Sequence, residues 1–489
     1  MKKTFIITIA LFIGISTFFS CQDDLDDIEV PASLQVRDFI WKGLNLYYYW
    51  QEDVPNLSDD RFSGQAELNT FLQGYASPET LFQELRFEPG QTDRFSVMYS
   101  DYTALEGVLS GVTTNNGVDY QLIRKSEGSN DVVGWVRYII PNSDASTKNI
   151  QRGDIFYAVD GTALTVDNYR TLLGSQTYTL NLANYDNGNF TPNGESVSLT
   201  KTQLSENPIL LSQVYDYAPK KIGYLMYNGF YNEYDGQLNA VFGQFRSQGI
   251  TDLVLDLRYN GGGSVQTATY LASMITGQFD GQVFAKQQWN SKVEAHFSQN
   301  NPENLINRFT SSISGVGAIN SLNLTKVYVL TTGSTASASE LVINGLAPHI
   351  QVIKIGEKTI GKNVGSITLY DSPTFQKSGR SSRHKYAMQP ICFKVINSDG
   401  FGEYQDGIDP TGTPLEEDLG NLGQLGDVNE PYLSNAISQI TGNGRIKSPA
   451  PLKSFARLKD RKALQPFGNE MYLNEIPFES LNIKFYENQ

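Results

Sequence analysis

The sequence predicts a multidomain protein of the α/β (α+β) class, and three observations lead to this prediction. The chain has 489 residues, which is more than one hydrophobic core ordinarily accommodates. Its 27 tyrosines, 26 phenylalanines and 43 glycines favour β-strands joined by many turns. After about residue 206, short apolar runs alternate with amphipathic segments, which is typical of a layered sheet with helices packed on it.

The N-terminal segment 1–21 predicts a signal peptide rather than part of the folded protein. Lys2 and Lys3 precede an apolar run, Phe5–Phe19, that is too short to span a membrane. Cys21 follows at the end of this run.

The position of Cys21 after a small residue resembles a bacterial lipoprotein signal, which implies that this cysteine is lipidated and becomes the mature N-terminus. An ordinary secretory signal is the alternative. The following residues, 22–34, are acidic and polar and predict a solvated tether. We therefore expect a lipid-anchored protein of the bacterial cell envelope, on the periplasmic or surface face of the outer membrane.

The rest of the chain divides by composition. Residues 35–105 predict a small helical domain, which includes a helix near 77–87 that begins at Ser77 and Pro78. Residues 106–205 predict a β-rich domain with one helix near 167–173. Residues 206–445 predict a layered α/β core. Residues 446–489 are basic and proline-punctuated, and they predict a C-terminal extension.

Composition argues against several function classes. The net charge of -14 disfavours nucleic acid as a partner, because an acidic surface repels phosphates. The three histidines, His296, His349 and His384, lack metal-ligand spacing. Cys21 and Cys392 do not form a disulfide framework. We therefore expect neither a metal nor another cofactor.

Two strand-to-helix junctions carry candidate chemistry. In LVLDLRYNGGGSVQ, Gly261–Gly263 lets the backbone turn sharply and present N–H groups to a phosphate or an oxyanion, although a plain tight turn explains it equally well. In KVYVLTTGSTASASELVINGL, Ser337 and Ser339 lie where a helix begins. Such a serine is either an exposed nucleophile or an N-cap.

A third segment, GEKTIGKNVGS, runs Gly356–Lys362 as an approximate phosphate-binding loop. Asn363 stands where such a loop has Ser or Thr, and the following residues predict a strand rather than a helix. Nucleotide binding is therefore disfavoured.

The motifs DLRYNGGG, STASASE and GEKTIGK, in this order, resemble those of the C-terminal processing (tail-specific) serine peptidases. The resemblance covers roughly residues 106–440. It implies an α/β peptidase core and, from the segment NSDAS…IQRGDIFYAVDGTAL, a PDZ-like domain at 106–205.

The resemblance also implies roles for single residues. Ser337 corresponds to the nucleophile and Lys362 to its general base. The backbone N–H groups of Ala338 and of Gly262 or Gly263 correspond to the oxyanion hole. Ser366 stands where many members have a glutamine that supports the lysine, so that support comes from Ser366 or from another group.

A lysine takes a serine proton only when it is neutral, which requires burial to lower its pKa. The implied activity is that of a serine endopeptidase that hydrolyses exported proteins or peptides through an acyl-enzyme. The alternative is a catalytically inactive, peptide-binding lipoprotein on the same scaffold. Nothing in the sequence indicates the oligomeric state.

Overall fold

The structure, a computed structural model, describes residues 29–442, 455–458 and 468–475. The predicted signal peptide, the lipidation site Cys21 and most of the tether lie outside these residues. Within them, no helix has both the length and the apolar character needed to cross a lipid bilayer. The architecture mixes helices with several sheets, which confirms the predicted fold class.

The N-terminal segment is mostly helical. Its elements are α1 (Gln35–Tyr47), α2 (Gln65–Gln73), α3 (Pro78–Glu84), β1 (Val97–Tyr99) and α4 (Tyr102–Leu109). The Ser77 side chain caps α3 by accepting the Thr80 N–H at 3.2 Å, as its position in the sequence indicates. Phe39 and Leu81 belong to the same buried cluster as Phe393, so these helices pack on the later core.

The next segment is rich in β-strands. Its elements are β2 (Val112–Asn115), β3 (Val118–Arg124), β4 (Val132–Ile139), β5 (Ile155–Val159), β6 (Thr162–Ala163), α5 (Tyr169–Gly174), β7 (Thr177–Asp186), β8 (Asn189–Thr200) and β9 (Thr202–Ser205). The sheet order β3-β4-β5-β7-β8 places β3 at one edge. Side chains from these strands and from α5 form a hydrophobic cluster of their own.

Two arginines attach this β-rich unit to the core. Arg137 is buried, pairs with Asp119 at 2.5 Å and donates to the Ser334 hydroxyl at 2.8 Å. Arg152 donates to the Tyr259 hydroxyl at 2.7 Å. Both contacts end on loops of the core, so the unit is fixed beside these loops.

The remaining elements form the core. They are β10 (Ile209–Tyr217), β11 (Lys220–Tyr227), α6 (Asp235–Gln248), β12 (Asp252–Asp256), β13 (Gly263–Ser264), α7 (Val265–Thr276), β14 (Val283–Trp289), α8 (Ser291–Asn300), β15 (Ile306–Arg308), β16 (Ser312–Ile313), β17 (Gly317–Ala318), β18 (Lys326–Thr331), α9 (Ala338–Leu346), β19 (Gln351–Gly356), β20 (Val364–Ser366), β21 (Leu369–Tyr370), β22 (Ala387–Gln389), β23 (Ile391–Asn397), α10 (Pro431–Thr441) and β24 (Met471–Tyr472).

The central sheet has the order β10-β11-β12-β18-β19. From β11 to β19 its neighbours are parallel, so these strands end at the same edge. Loops that follow β12, β18 and β19 therefore meet in one crevice, which is where open parallel sheets bind ligands. A second sheet, with the order β13-β24-β20-β23-β14-β15, adjoins it.

Arg258, two residues after the end of β12, lies in the core and allows its stability to be tested. Its guanidinium is fully buried between Asp256, at 2.8 Å, and Glu430, at 2.7 and 3.0 Å. Arg258→Met removes the guanidinium and leaves the buried carboxylates of Asp256 and Glu430 without a compensating charge. We therefore expect this substitution to lower the free energy of unfolding by about 3–5 kcal/mol. Calorimetry should show a lower Tm.

The matched control is Arg308→Met, because Arg308 pairs with Glu303 at the surface and exposed pairs stabilise little. A Tm for Arg258→Met equal to that of the control would show that the buried pairs do not stabilise the core.

Candidate active site

Three loops that follow adjacent parallel strands form the candidate active site. Ser337 follows β18, Asn260–Gly263 follows β12, and Lys362 follows β19. The Ala336 N–H donates to the Asn260 carbonyl at 3.1 Å, and the Ile360 N–H donates to the Thr335 carbonyl at 3.0 Å. The structure thus brings all three predicted segments together at the carboxyl edge of the sheet.

Ser337 lies on a sharp turn immediately before α9. Its backbone has φ 64 and ψ -116, a conformation that is costly for a residue with a side chain. Its hydroxyl is buried and has no hydrogen-bond partner among the described residues. A buried polar group without a partner is uncommon, and both features are typical of a serine presented to a substrate on a strand-to-helix turn.

Glu340, on the first turn of α9, ties the Ser337 loop to the Lys362 loop. One carboxylate oxygen accepts the Ser337 N–H at 2.7 Å and the Lys362 N–H at 2.8 Å. The other accepts the Gly361 N–H at 2.7 Å and the Thr359 hydroxyl. Because the same Glu340 oxygen accepts both N–H groups, the backbone nitrogens of Ser337 and Lys362 lie close to each other.

The Lys362 side chain is fully buried. Its ammonium nitrogen lies 4.6 Å from the centre of the Phe95 ring. Burial lowers the pKa of Lys362, against the opposing effect of the Glu470 carboxylate. The fold thus provides the desolvation that a lysine general base requires.

The amine of Lys362 does not bond to the Ser337 hydroxyl in the described residues. Its Nζ donates instead to Oε2 of Glu470 at 2.6 Å. Glu470 is buried, and burial raises its pKa. Ser366 lies beside this pair and donates to the Glu470 carboxylate at 3.4 Å and to the Met471 carbonyl at 3.2 Å, so in this structure the hydrogen-bond partner of the Lys362 amine is Glu470 and not Ser366.

The glycine turn faces Ser337. Gly262 and Gly263 have φ 114 and 137, which favour glycine. A Cβ on Gly262 would lie 2.6 Å from Cβ of Ser337 and 2.5 Å from the Glu470 carbonyl oxygen, so only glycine fits between them.

The two candidate glycine donors are not equivalent. The Gly262 N–H donates to Oδ1 of Asn260 at 2.8 Å, whereas the Gly263 N–H donates to the Glu470 carbonyl at 2.5 Å. The Ala338 N–H, at the first position of α9, has no acceptor within the helix. Gly263 and Ala338 are therefore the two candidate backbone donors that are not already bonded within their own turn or helix.

Two residues of this site, Glu340 and Glu470, are not predicted from the sequence. Glu340 has a sequence signal, since S-x-x-E at a helix start is a capping box, and here its carboxylate returns to the Ser337 N–H. Glu470 has none, because it lies 108 residues after Lys362 in the segment that the sequence treats as an extension.

Two segments of the chain match known families. Residues 221–375 match Peptidase family S41, and residues 35–97 match the Peptidase S41 N-terminal domain. The first segment contains Ser337, Lys362 and the glycine turn.

Curated relatives are more distant in sequence. A carboxyl-terminal-processing protease of Picosynechococcus is 23% identical over 55% of this chain and 64% of its own length. The chloroplastic C-terminal processing peptidase of Tetradesmus obliquus is 24% identical over 54% of each chain. The chain therefore spans less than two thirds of the length of these two relatives.

A similar solved structure is the crystal structure of a Bacteroides fragilis protein assigned to the S41 proteases. It is 26% identical, with a TM-score of 0.64, over 83% of this chain and 98% of that chain. These matches, to Peptidase family S41 over residues 221–375 and to the Peptidase S41 N-terminal domain over residues 35–97, confirm the resemblance indicated by DLRYNGGG, STASASE and GEKTIGK.

Proposed function

We propose that this chain is a serine endopeptidase that hydrolyses proteins or peptides, with Ser337 as nucleophile and Lys362 as general base. One observation carries the proposal. A buried serine hydroxyl without a partner, on a strained turn, shares the carboxyl edge of a parallel sheet with a buried lysine whose pKa is lowered. Serine and lysine supply the two groups that acyl transfer needs.

The chemistry proceeds in two halves. Ser337 Oγ attacks the peptide carbonyl carbon while the neutral Lys362 amine accepts the hydroxyl proton. The ammonium then returns this proton to the leaving amine as the peptide C–N bond breaks, which leaves an ester on Ser337. Water, deprotonated by the same amine, hydrolyses this ester.

The N–H groups of Gly263 and Ala338 stabilise the oxyanion of each tetrahedral intermediate. Gly262 contributes its position rather than its N–H, since Asn260 already accepts that hydrogen. Asn260 is itself held by a bond from its Nδ2 to the Tyr227 carbonyl at 2.8 Å. The donor geometry is therefore set before a substrate binds.

The β-rich unit at 106–205 is proposed to be PDZ-like and to bind peptide segments. Its strand β3 is an edge strand that follows a loop at Asn115–Gly117 and lies near α5. These elements line a cavity of about 300 Å³ together with Tyr178 and Lys201. An edge strand beside a groove can bind a peptide as an added strand.

The proposed location is the bacterial cell envelope. Cys21 is proposed to be lipidated and to anchor the mature chain to a membrane, most simply the outer membrane, through the acidic tether. The substrates would then be exported proteins or peptides that reach the same compartment. Globomycin treatment, which blocks lipoprotein signal cleavage, should leave the unprocessed chain, and Cys21→Ala, which removes the proposed lipidation site, should abolish the attachment of labelled fatty acid to the chain.

The nucleophile is tested by Ser337→Ala. We expect cleavage of an unstructured protein substrate to fall by about 10⁴-fold or more, as when other serine peptidases lose their nucleophile. Ser339→Ala, two residues along, removes a hydroxyl that bonds to the Asn260 carbonyl at 3.2 Å and should retain most activity. Full activity in Ser337→Ala would refute the assignment of the nucleophile, whereas no cleavage by the unmodified chain would favour the inactive, peptide-binding alternative.

The general base is tested by the pH dependence of kcat/KM. The active form of Lys362 is the neutral amine, so activity should rise with pH through the pKa of Lys362. Because burial lowers this pKa, the rise should occur below the ordinary lysine value of about 10.4. Lys362→Arg, which stays protonated, should remove both the rise and the activity, whereas a rise preserved in that variant would assign it to another group.

A further inference from the structure

A segment near the C-terminus lies in the active-site crevice as a β-strand. β24 is inserted between β13 and β20 and is parallel to both. Met471 is opposite Gly263, and Tyr472 is opposite Ser264. The Leu473 N–H extends this pairing by donating to the Ser366 carbonyl at 3.2 Å.

Glu470, just before this strand, occupies two groups of the proposed machinery at once. Its carbonyl oxygen accepts the Gly263 N–H at 2.5 Å, and its carboxylate accepts from Lys362 at 2.6 Å. A donor of the oxyanion hole and the general base are therefore both engaged by the protein's own chain.

The strand is held by its side chains as well as by its backbone. Met471 and Tyr472 are buried, Met471 in the main core cluster and Tyr472 beside Tyr370 and Leu105. The Tyr472 hydroxyl donates to the Leu109 carbonyl at 2.8 Å. Burying two such side chains favours the bound strand, against the entropic cost of ordering the segment.

An earlier part of the same C-terminal segment lies on the edge of the β-rich sheet. The Arg124 N–H donates to the Ala456 carbonyl and the Leu458 N–H donates to the Leu122 carbonyl, both at 2.9 Å. These bonds add residues 455–458 antiparallel to β3. Two surfaces on which an extended peptide could pair are thus covered by a single stretch of this chain.

We propose that residues 468–473 are an intramolecular inhibitor that occupies the crevice as an extended peptide substrate would, with Glu470 as its anchor on Lys362 and Gly263. The proposal rests on the proposed function, in which Lys362 is the general base and the Gly263 N–H is an oxyanion donor. It predicts that the chain becomes active when a substrate or a partner displaces this strand.

The contacts identify an inhibitor rather than a substrate. The Glu470 carbonyl accepts from Gly263 as a scissile carbonyl would, but the amine that should take the Ser337 proton is bonded to the Glu470 side chain. Cleavage between Glu470 and Met471 therefore lacks its base while the strand is bound. The intact mass of the purified chain should show no cut at this bond.

The strand is tested in the full chain carrying Ser337→Ala, so that binding is measured without cleavage. The probe is a fluorescein-labelled peptide with the sequence of residues 468–475, followed by anisotropy. Glu470→Lys places a second ammonium against Lys362 and should expel the tethered strand. Because only the open fraction binds the probe, its affinity should rise about tenfold or more.

The matched control is Glu475→Lys, which makes the same charge change at an exposed residue of the same segment and should leave the affinity at the parent value. Tyr472→Ala, which removes the buried anchor without a charge change, should strengthen probe binding in the same direction. With Ser337 restored, Glu470→Lys should raise kcat/KM on a peptide by a similar factor.

Equal probe affinity in the parent, Glu470→Lys and Tyr472→Ala chains would overturn the proposal, as would a mass that shows the chain cut after Glu470. Stronger probe binding without cleavage by any chain that retains Ser337 would instead support occupancy of the crevice by the strand and contradict the peptidase function.

Discussion

The geometry of the candidate active site depends on one buried carboxylate, that of Glu340. Glu340 accepts hydrogen bonds from Ser337, Gly361 and Lys362 and from the Thr359 hydroxyl, and it is fully shielded from solvent. Burying a charge is expensive unless hydrogen bonds replace its hydration, so the four donors must converge on this point. Two loops that are separate in sequence are thereby fixed against the start of α9, and the conformation of Ser337 is stabilised by the same contact.

Desolvation dominates the electrostatics of this crevice. Burial lowers the pKa of Lys362 and raises the pKa of Glu470, although the two groups are bonded to each other and each opposes the shift of the other. Both shifts favour the neutral forms. One face of the amine is covered by the Phe95 ring, 4.6 Å away, which is not part of the C-terminal strand.

The sequence predicts the three loops of the site but not the contacts that complete it. Consecutive glycines, small residues before a helix and apolar runs are local signals, and parallel pairing then brings the ends of β12, β18 and β19 together. The choice between Gly262 and Gly263 is not local, since it depends on the Asn260 side chain accepting one of the two N–H groups. Glu470 is still harder to predict, because a basic, proline-punctuated segment gives no sign of a strand that pairs with residues more than 100 positions earlier.

The proposed catalytic groups of the site all lie outside the C-terminal strand. The candidate nucleophile, base and oxyanion donors all come from loops that follow strands of the central sheet, and Glu340 holds the Ser337 and Lys362 loops through bonds that do not involve residues 468–475. The strand adds the Lys362–Glu470 hydrogen bond, backbone pairing and two large buried side chains to the crevice. Its removal therefore exposes the groups of the site without requiring them to be rebuilt. A substrate that reproduces the backbone pairing competes with a tethered segment whose effective concentration is of the order of millimolar. Extended peptides that are held at a second point as well therefore have the advantage over short ones.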